Sequence, residues 1–298
     1  MDSMYKTITL KDLKISEVHN YLNHAIAPRP ICFASTIDNK GNVNLSPFSY
    51  FNLFSLHPAI VVFSPLRRGR NNTTKHTLEN LVEVPEVVVN IVTYSMAQQV
   101  SLSSCEFPKE TDEFIKSGFT KEASHLVKPP RVKESPVQLE CKVIEIKPLG
   151  KEGGAGNLVI AEVLLMHINE EILNEEGKID QRKLDLAARL GGNWYARINE
   201  KNLFEVQKPN TELGIGIDNL PVSVKSSNIL TGNHLGQLAS VQALPLVDPS
   251  FEDDTLKNIF QYYSLNPEEM EIELHLYAAE LLNNGKVYEA WQVLLGLA

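Results

Sequence analysis

The sequence predicts a mainly β fold with peripheral helices, closed as a barrel and followed by a C-terminal α-helical extension. Three observations carry this reading. Short β-prone runs recur through the first part of the chain with brief helical segments between them. Two of the runs are long and joined by a glycine-rich stretch, which reads as a hairpin. Residues 241–298 combine an acidic bias with an apolar repeat of helical period.

The elements follow in order. Residues 11–24 read as a helix. Residues 31–37 (ICFASTI) form a first strand, ended by the turn Asp38-Asn39-Lys40-Gly41. Residues 60–63 and 87–92 are further strands, with helices expected over 74–81 and 96–104. In 137–146, Val137, Leu139, Cys141 and Val143 alternate with Gln138, Glu140 and Lys142, the period of a half-buried strand. Residues 158–168 form its partner, reached through 147–157 with Gly150, Gly153, Gly154 and Gly156. A helix is expected over 182–190. Strands with short intervening helices and one long hairpin fit a barrel better than a doubly wound sheet.

In the tail, Asn266-Pro267 followed by two glutamates starts a helix whose apolar face holds Met270, Leu274, Tyr277, Ala278 and Leu281. Val287, Ala290, Trp291 and Leu294 repeat that face after the break Asn283-Asn284-Gly285, and 254–263 suggest another helix. A chain of 298 residues accommodates about two domains. The expected division is a barrel domain over 1–205, an extended linker wrapping the core over 206–240, and the acidic helical extension over 241–298.

Charge and composition narrow the function. The net charge is −9, of which −8 falls in residues 241–298, so the body is almost neutral. A nucleic-acid partner requires a basic face. The dense basic cluster Arg67, Arg68, Arg70 and Lys75 is too small for a duplex but large enough for one phosphate. No apolar run reaches the ~18 residues of a membrane span, and the charged N-terminus lacks the apolar core of a secretory signal. Cys32, Cys105 and Cys141 are few and widely spaced, which argues against a disulfide framework or zinc cage and suits a reducing cytoplasm. None of the eight histidines forms an HxxxH pair, so no metal is expected. No GxSxG occurs, and Ser46 and Ser49 read as loop serines. The 150–156 glycines do not make GxGxxG and precede a strand, so they read as a hairpin turn and not as a dinucleotide loop.

Residues 67–77 (RRGRNNTTKHT) are more informative. They gather basic side chains, hydroxyls and a helix start, and a helix N-terminus offers unpaired N–H groups to a phosphate. The same composition also suits a solvated surface loop.

An ordered series of motifs decides between these readings. It comprises Ala27-Pro-Arg-Pro-Ile-Cys-Phe-Ala-Ser-Thr36, Gly41, Asn44-Leu-Ser-Pro-Phe-Ser-Tyr-Phe51, His57-Pro58, Lys75-His-Thr-Leu-Glu-Asn80, Leu139-Glu-Cys141, the strand over 158–167 and Ala188-Arg-Leu-Gly-Gly-Asn-Trp-Tyr195. The series resembles the flavin reductase-like, FMN-binding split-barrel family and covers roughly the first 205 residues. The resemblance implies a split β-barrel that dimerises with a second copy and holds FMN near the subunit interface. It implies that Arg29 and the segment with Asn44, Leu45, Ser46, Pro47, Ser49 and Tyr50 line the flavin. It further implies that Arg67, Lys75, Thr77 and Asn80 serve the phosphate, and that the segment Arg189 to Tyr195, Tyr195 in particular, reaches the flavin edge from one subunit or the other. The chain departs from the family pattern at His76, where many members carry Asp. Asn157 and Ala161 also stand where flavin-releasing reductases often carry His and Gly, so no nicotinamide-contacting histidine is carried over.

The implied activity is reduction of FMN by NADH or NADPH through hydride transfer to flavin N5. Such chemistry needs alignment and electrostatics and no protein nucleophile, so no catalytic side chain is expected. A partner monooxygenase or another acceptor would take up the reducing equivalents. The alternative is a non-enzymatic flavin-binding or scaffold protein with a helical docking tail.

Overall fold

The first β-prone run forms β1 (Cys32–Ile37), and its alternation decides which side each residue serves. Cys32 and Ala34 face a core shared with the other long strands, whereas Phe33 faces a second cluster beneath short helices. The computed structural model describes residues 4–206 and 213–296. It divides the chain into two compact units, residues 1–204 and 205–298.

In the first unit, β1 is followed by β2 (Val43–Phe48), β3 (Phe51–Leu56), β4 (Ala59–Phe63) and β5 (Glu86–Ile91). Two short strands, β6 (Lys121–Glu122) and β7 (Arg131–Val132), pair with each other. The long strands β8 (Val137–Pro148) and β9 (Asn157–Ile168) form the expected hairpin. Seven strands make one antiparallel sheet in the order β2-β1-β5-β8-β9-β4-β3. β2 and β3 lie at its two edges, yet only Ser49 and Tyr50 separate them in sequence. The sheet must therefore curl until its edges approach. Among the described residues those edges do not pair with each other, so the barrel is open along one seam. Pro47, which cannot donate to a ladder, sits on β2, an edge strand, opposite Phe33.

The barrel interior gathers Cys32, Ala34, Phe63, Val87, Val89 and Cys141 with further residues of β8 and β9. Helix α1 (Ile15–Ala25) precedes the barrel, and α2 (His76–Glu83) buries Leu78 and Leu81 in its interior. Each such burial contributes at most roughly 1.5–3 kcal/mol, which anchors the start of α2 and hence Lys75. The helices α3 (Ala97–Leu102) and α4 (Glu113–Ser117) cover Phe33 and Leu45 from outside.

Two expectations need correction here. Residues 182–190 are not a helix: Leu186–Arg189 form β10, paired with β11 (Tyr195–Ile198) across the turn at Gly191-Gly192. Bridges from Thr93 to Leu186 and from Arg29 to Arg189 override the local helix propensity of Leu-Ala-Ala-Arg. Ser46 is not in a loop but within β2, whereas Ser49 does lie in the turn to β3. The alternation over 137–143 is real, but Gln138 and Glu140 are buried as well. The Glu140 carboxylate accepts from the N–H groups of His125 (2.8 Å) and Leu126 (2.6 Å) and pairs with His167 Nε2 at 2.7 Å. A loop over the outer face has covered what periodicity alone assigns to water.

The second unit is helical: α5 (Val222–Lys225), α6 (Gly232–Leu238), α7 (Asp254–Tyr262), α8 (Pro267–Asn283) and α9 (Val287–Leu295). As expected, Asn266 caps α8 with Pro267 at its first position, and Asn284-Gly285 separates it from α9. The expectation of an extended linker over 206–240 differs from what is found. Residues 207–212 of it lie outside the described residues. Leu220, Val224, Leu230 and Leu238 pack with Leu274, Leu282 and Trp291 in one core, and Trp291 Nε1–H donates to the Leu238 carbonyl at 3.2 Å. Those apolar side chains recur at helical spacing in short segments, too short for a period to be read from sequence. Among the described residues no helix is long and apolar enough to cross a membrane.

Candidate functional site

At the open seam the turn Ser49-Tyr50 and the end of β2 form one wall of a cleft of about 320 Å³, within the size range of small-ligand sites. Helix α1 and the β10 hairpin supply another wall, and Lys75 also lines the cleft. Of the residues expected from sequence, Arg29, Ser46, Pro47, Ser49, Tyr50 and Lys75 line this cleft. Arg189 and Gly192, from the expected 189–195 segment, line it too, as do His19, His24, Ser64 and Ser104, which sequence reasoning did not name as ligands. The signal for Gly192 was present in the Gly-Gly pair. Gly191 packs so closely against the His24 ring that a Cβ there would displace it.

A small recess adjoins the cleft and shares Ser46, Lys75 and Ser104 with it. Arg68, His76, Thr77, Asn44 and Ser103 add to its polar lining, together with the carboxylates Glu106 and Glu113. Lys75 is the N-cap of α2, so the amides of His76 and Thr77 head the helix without intrahelical partners. Burial, and after it the charge of Arg68, lowers the Lys75 pKa. Among the described residues the Lys75 ammonium has no hydrogen-bond or ion-pair partner, whereas Arg68 and Arg70 share Glu106 at 3.4 and 2.7 Å. Burial also lowers the His76 pKa, which favours the neutral ring.

The hairpin glycines back this loop. Arg67 N–H donates to the Ala155 carbonyl at 2.9 Å, Gly154 N–H returns a bond to the Arg67 carbonyl at 2.9 Å, and a Cβ on Gly153 would crowd the backbone of Arg68 and Gly69. The glycine stretch is thus a turn, as expected, and it also buttresses the basic segment.

A family model for a flavin reductase like domain matches residues 24–184, more than half of the chain. The chain belongs to the flavin reductase-like family. An uncharacterized protein of Aquifex aeolicus (strain VF5) is 36% identical to this flavin reductase-like chain over 172 residues, 58% of this chain and 85% of that protein. Nitrilotriacetate monooxygenase component B from Bacillus cereus is 27% identical, with a TM-score of 0.64 over 69% of this chain and all of that one. A Shewanella frigidimarina NCIMB 400 protein with a split barrel domain is 24% identical, with a TM-score of 0.57 over 67% of this chain and 96% of that one. The fold of the flavin reductase-like unit is accordingly a split barrel, and its chemistry is flavin-related oxidoreduction.

Several expected ligands of this flavin reductase-like chain face elsewhere. Thr77 is 1% exposed, and its hydroxyl donates to Asn44 Oδ1 at 2.6 Å. Asn44 Nδ2 in turn donates to Glu113 Oε1 at 2.9 Å, and Leu45 N–H donates to the other oxygen at 3.1 Å. Asn44 and Thr77 therefore reach only the recess, with their polar atoms engaged, and the Leu45 side chain is wholly in the outer core. Burial raises the Glu113 pKa. Asn80 donates to Thr36 Oγ1 at 3.2 Å and clamps α2 to β1. Arg67 turns back on its own loop, its Nε 2.6 Å from Asn72 Oδ1. Of the expected 189–195 segment, residues 189, 190 and 192 line the cleft, whereas Tyr195 lies beyond it with the Arg189 guanidinium 4.7 Å over its ring. Asn157, at the place of the family's strand histidine, is buried and bonds the Pro65 carbonyl at 3.0 Å.

The residues present fit a flavin mononucleotide. Among the described residues the buried Ser64 hydroxyl on the cleft wall has no hydrogen-bond partner, and neither does Arg29 Nε. Unmet buried polar groups are rare and costly, so both suit a polar ligand edge. Lys75 and the head of α2 suit a phosphate.

Proposed function

We propose that the cleft holds FMN and that the protein is an NAD(P)H-dependent flavin oxidoreductase. The observation that carries the reading is Lys75: a half-buried ammonium at a helix N-terminus that makes no hydrogen bond or ion pair among the described residues, the nearby carboxylate Glu106 being shared by Arg68 and Arg70. Bound FMN would supply a hydride acceptor at N5 for the reduced nicotinamide. The chain's own residues hold and orient. Lys75 and the amides of His76 and Thr77 take the phosphate, Arg68 adds charge to the same recess, and the Ser46–Tyr50 segment lines the ring. Ser64 Oγ offers a hydrogen bond to its polar edge. α1 and the β10 hairpin limit water at the cleft.

The edge strand β3 exposes Leu53, Phe54 and Leu56, the last two 68% and 80% accessible. An apolar strand edge of this kind calls for cover, and a second copy of the chain provides it. A homodimer is therefore part of the proposal. The free thiols Cys32, Cys105 and Cys141 suit a reducing cytoplasm. The likeness to a component B of a monooxygenase supports delivery of reduced flavin to a partner oxygenase or another acceptor.

Steady-state oxidation of NADH and NADPH with added FMN tests the activity, and extraction of bound flavin tests the cofactor. Turnover with FMN and recovery of FMN are expected. Tight FMN binding without turnover would overturn the enzyme reading in favour of a flavin-binding protein, and recovery of mainly FAD would overturn the choice of flavin. Sedimentation as a monomer at micromolar concentration would remove the dimer.

A further inference from the structure

Lys75 and the head of α2 account for one phosphate, but the α1–β10 wall of the same cleft carries positive charge that this use leaves over. Arg29 and Arg189 are joined by an isolated antiparallel bridge, with Arg29 N–H 3.0 Å from the Arg189 carbonyl and Arg189 N–H 2.8 Å from that of Arg29. Both line the cleft, along with His19 and His24, and no Asp or Glu does so among the described residues. Neither arginine forms an ion pair among those residues.

Their partners are backbone carbonyls. Arg29 donates from Nη1 to Asn23 and Ile26 and from Nη2 to Leu190. Arg189 donates from Nη1 to Leu190 and Trp194 and from Nη2 to Gly192. A guanidinium has five N–H donors, so each arginine retains its Nε–H and one Nη2–H. Arg29 is more than nine-tenths buried with its Nε unpartnered. Burial and, more weakly, the neighbouring Arg189 charge lower its pKa. Two adjacent guanidinium groups fixed by backbone bonds and lacking a counter-charge form a preorganised seat for an oxyanion.

We propose that this wall is a second oxyanion subsite, which takes the negatively charged group of the ligand that meets the flavin. The group is a carboxylate on a small organic acceptor or a phosphate of the nicotinamide reductant. The inference rests on the flavin reading above, and its test separates the two.

FMN-loaded protein is titrated with benzoate, with the neutral analogue benzamide, and with ADP-ribose, which carries the pyrophosphate but no nicotinamide. The absorbance of bound flavin reports occupancy. The expected result is saturable binding of benzoate or ADP-ribose but not benzamide, weakened about tenfold or more in Arg189→Gln and largely kept in Arg189→Lys. A benzoate response assigns the subsite to a carboxylate and an ADP-ribose response to the dinucleotide. Response to neither anion, equal affinity for benzoate and benzamide, or an unaltered Arg189→Gln variant would overturn it. Should that variant fail to fold, the wild-type comparison of benzoate with benzamide decides. Failure of FMN itself to bind overturns the flavin reading, and the anions are then read by thermal shift on flavin-free protein. FMN binding without an anion response overturns the second subsite alone.

Discussion

Replacing Lys75 by methionine removes the charge from the proposed phosphate seat while keeping most of the apolar stem. Three features set the magnitude. The ammonium is partly desolvated, so solvent screens it less than a surface lysine. Glu106, the nearby carboxylate, is already shared by Arg68 and Arg70. Lys75 also caps α2, whose Leu78 and Leu81 are buried in the barrel, so its position does not depend on a ligand. A hydrogen bond from a charged group in such a place contributes about 1.5–3 kcal/mol, or roughly ten- to a hundred-fold in Kd. FMN affinity should fall by that factor, while riboflavin, which lacks the phosphate, should bind almost as before. Since the Lys75 ammonium has no partner among the described residues, the flavin-free variant should be no less stable than the parent. The lowered pKa adds a pH signature. Phosphate binding needs the protonated amine, so as pH rises wild-type affinity should begin to fall before the ordinary lysine value of 10.5 is reached, a step the variant lacks. Titrations followed by flavin fluorescence check each point. Equal losses for FMN and riboflavin would refute the phosphate assignment in favour of a ring or folding contact. No loss for either would hand the phosphate to the arginines.

Three further outcomes are expected. Burial pushes the Glu140 carboxyl up, but hydrogen bonds from the His125 and Leu126 amides and from His167 more than offset this, leaving its pKa below the ordinary 4.5. Its stabilisation is therefore present above that value and lost as pH falls through the lower folded one. Glu140→Gln should cost about 1–3 kcal/mol in urea unfolding at neutral pH and flatten the acid limb; an unchanged midpoint would contradict the buried network. In the helical unit, burial lowers the His275 pKa, so the unfolded chain takes up the proton first and stability should drop as pH falls below about 6.5. His275→Leu should remove that step from pH-resolved thermal unfolding, and its persistence would shift the cause to another group. Finally, Cys105 is exposed, while burial raises the Cys32 pKa and pushes Cys141 up to about 12. A thiol reagent should modify one cysteine per native chain, identified by peptide mapping as Cys105, and rapid labelling of a second would mean that the barrel opens.

Local patterns determined a good part of this protein. The alternation over 137–143 marked β8, the glycines after it marked the hairpin, and Asn266-Pro267 marked the start of α8. Each is written in neighbouring residues, because side-chain period, turn conformation and helix capping are short-range physics. The composition of residues 67–77 suited an anion seat and a solvated loop equally, and only the resemblance to the flavin reductase-like family favoured the first. Tertiary structure decided the rest. Thr77, Asn80 and Leu45 stand in the motifs expected to meet the ligand, yet register and packing turn them to Asn44, Thr36 and the outer core. Leu-Ala-Ala-Arg reads as helix, but pairing with residues 195–198 and the bridge to Arg29 make it a strand. Gln138 and Glu140 read as solvent-facing until the loop preceding β8 folds back over them. The short helices over 222–238 acquire their meaning only from a core completed by Trp291. The uncompensated pair Arg29 and Arg189 lies far apart in sequence, and only the folding of the chain around the seam brings the two charges to one wall.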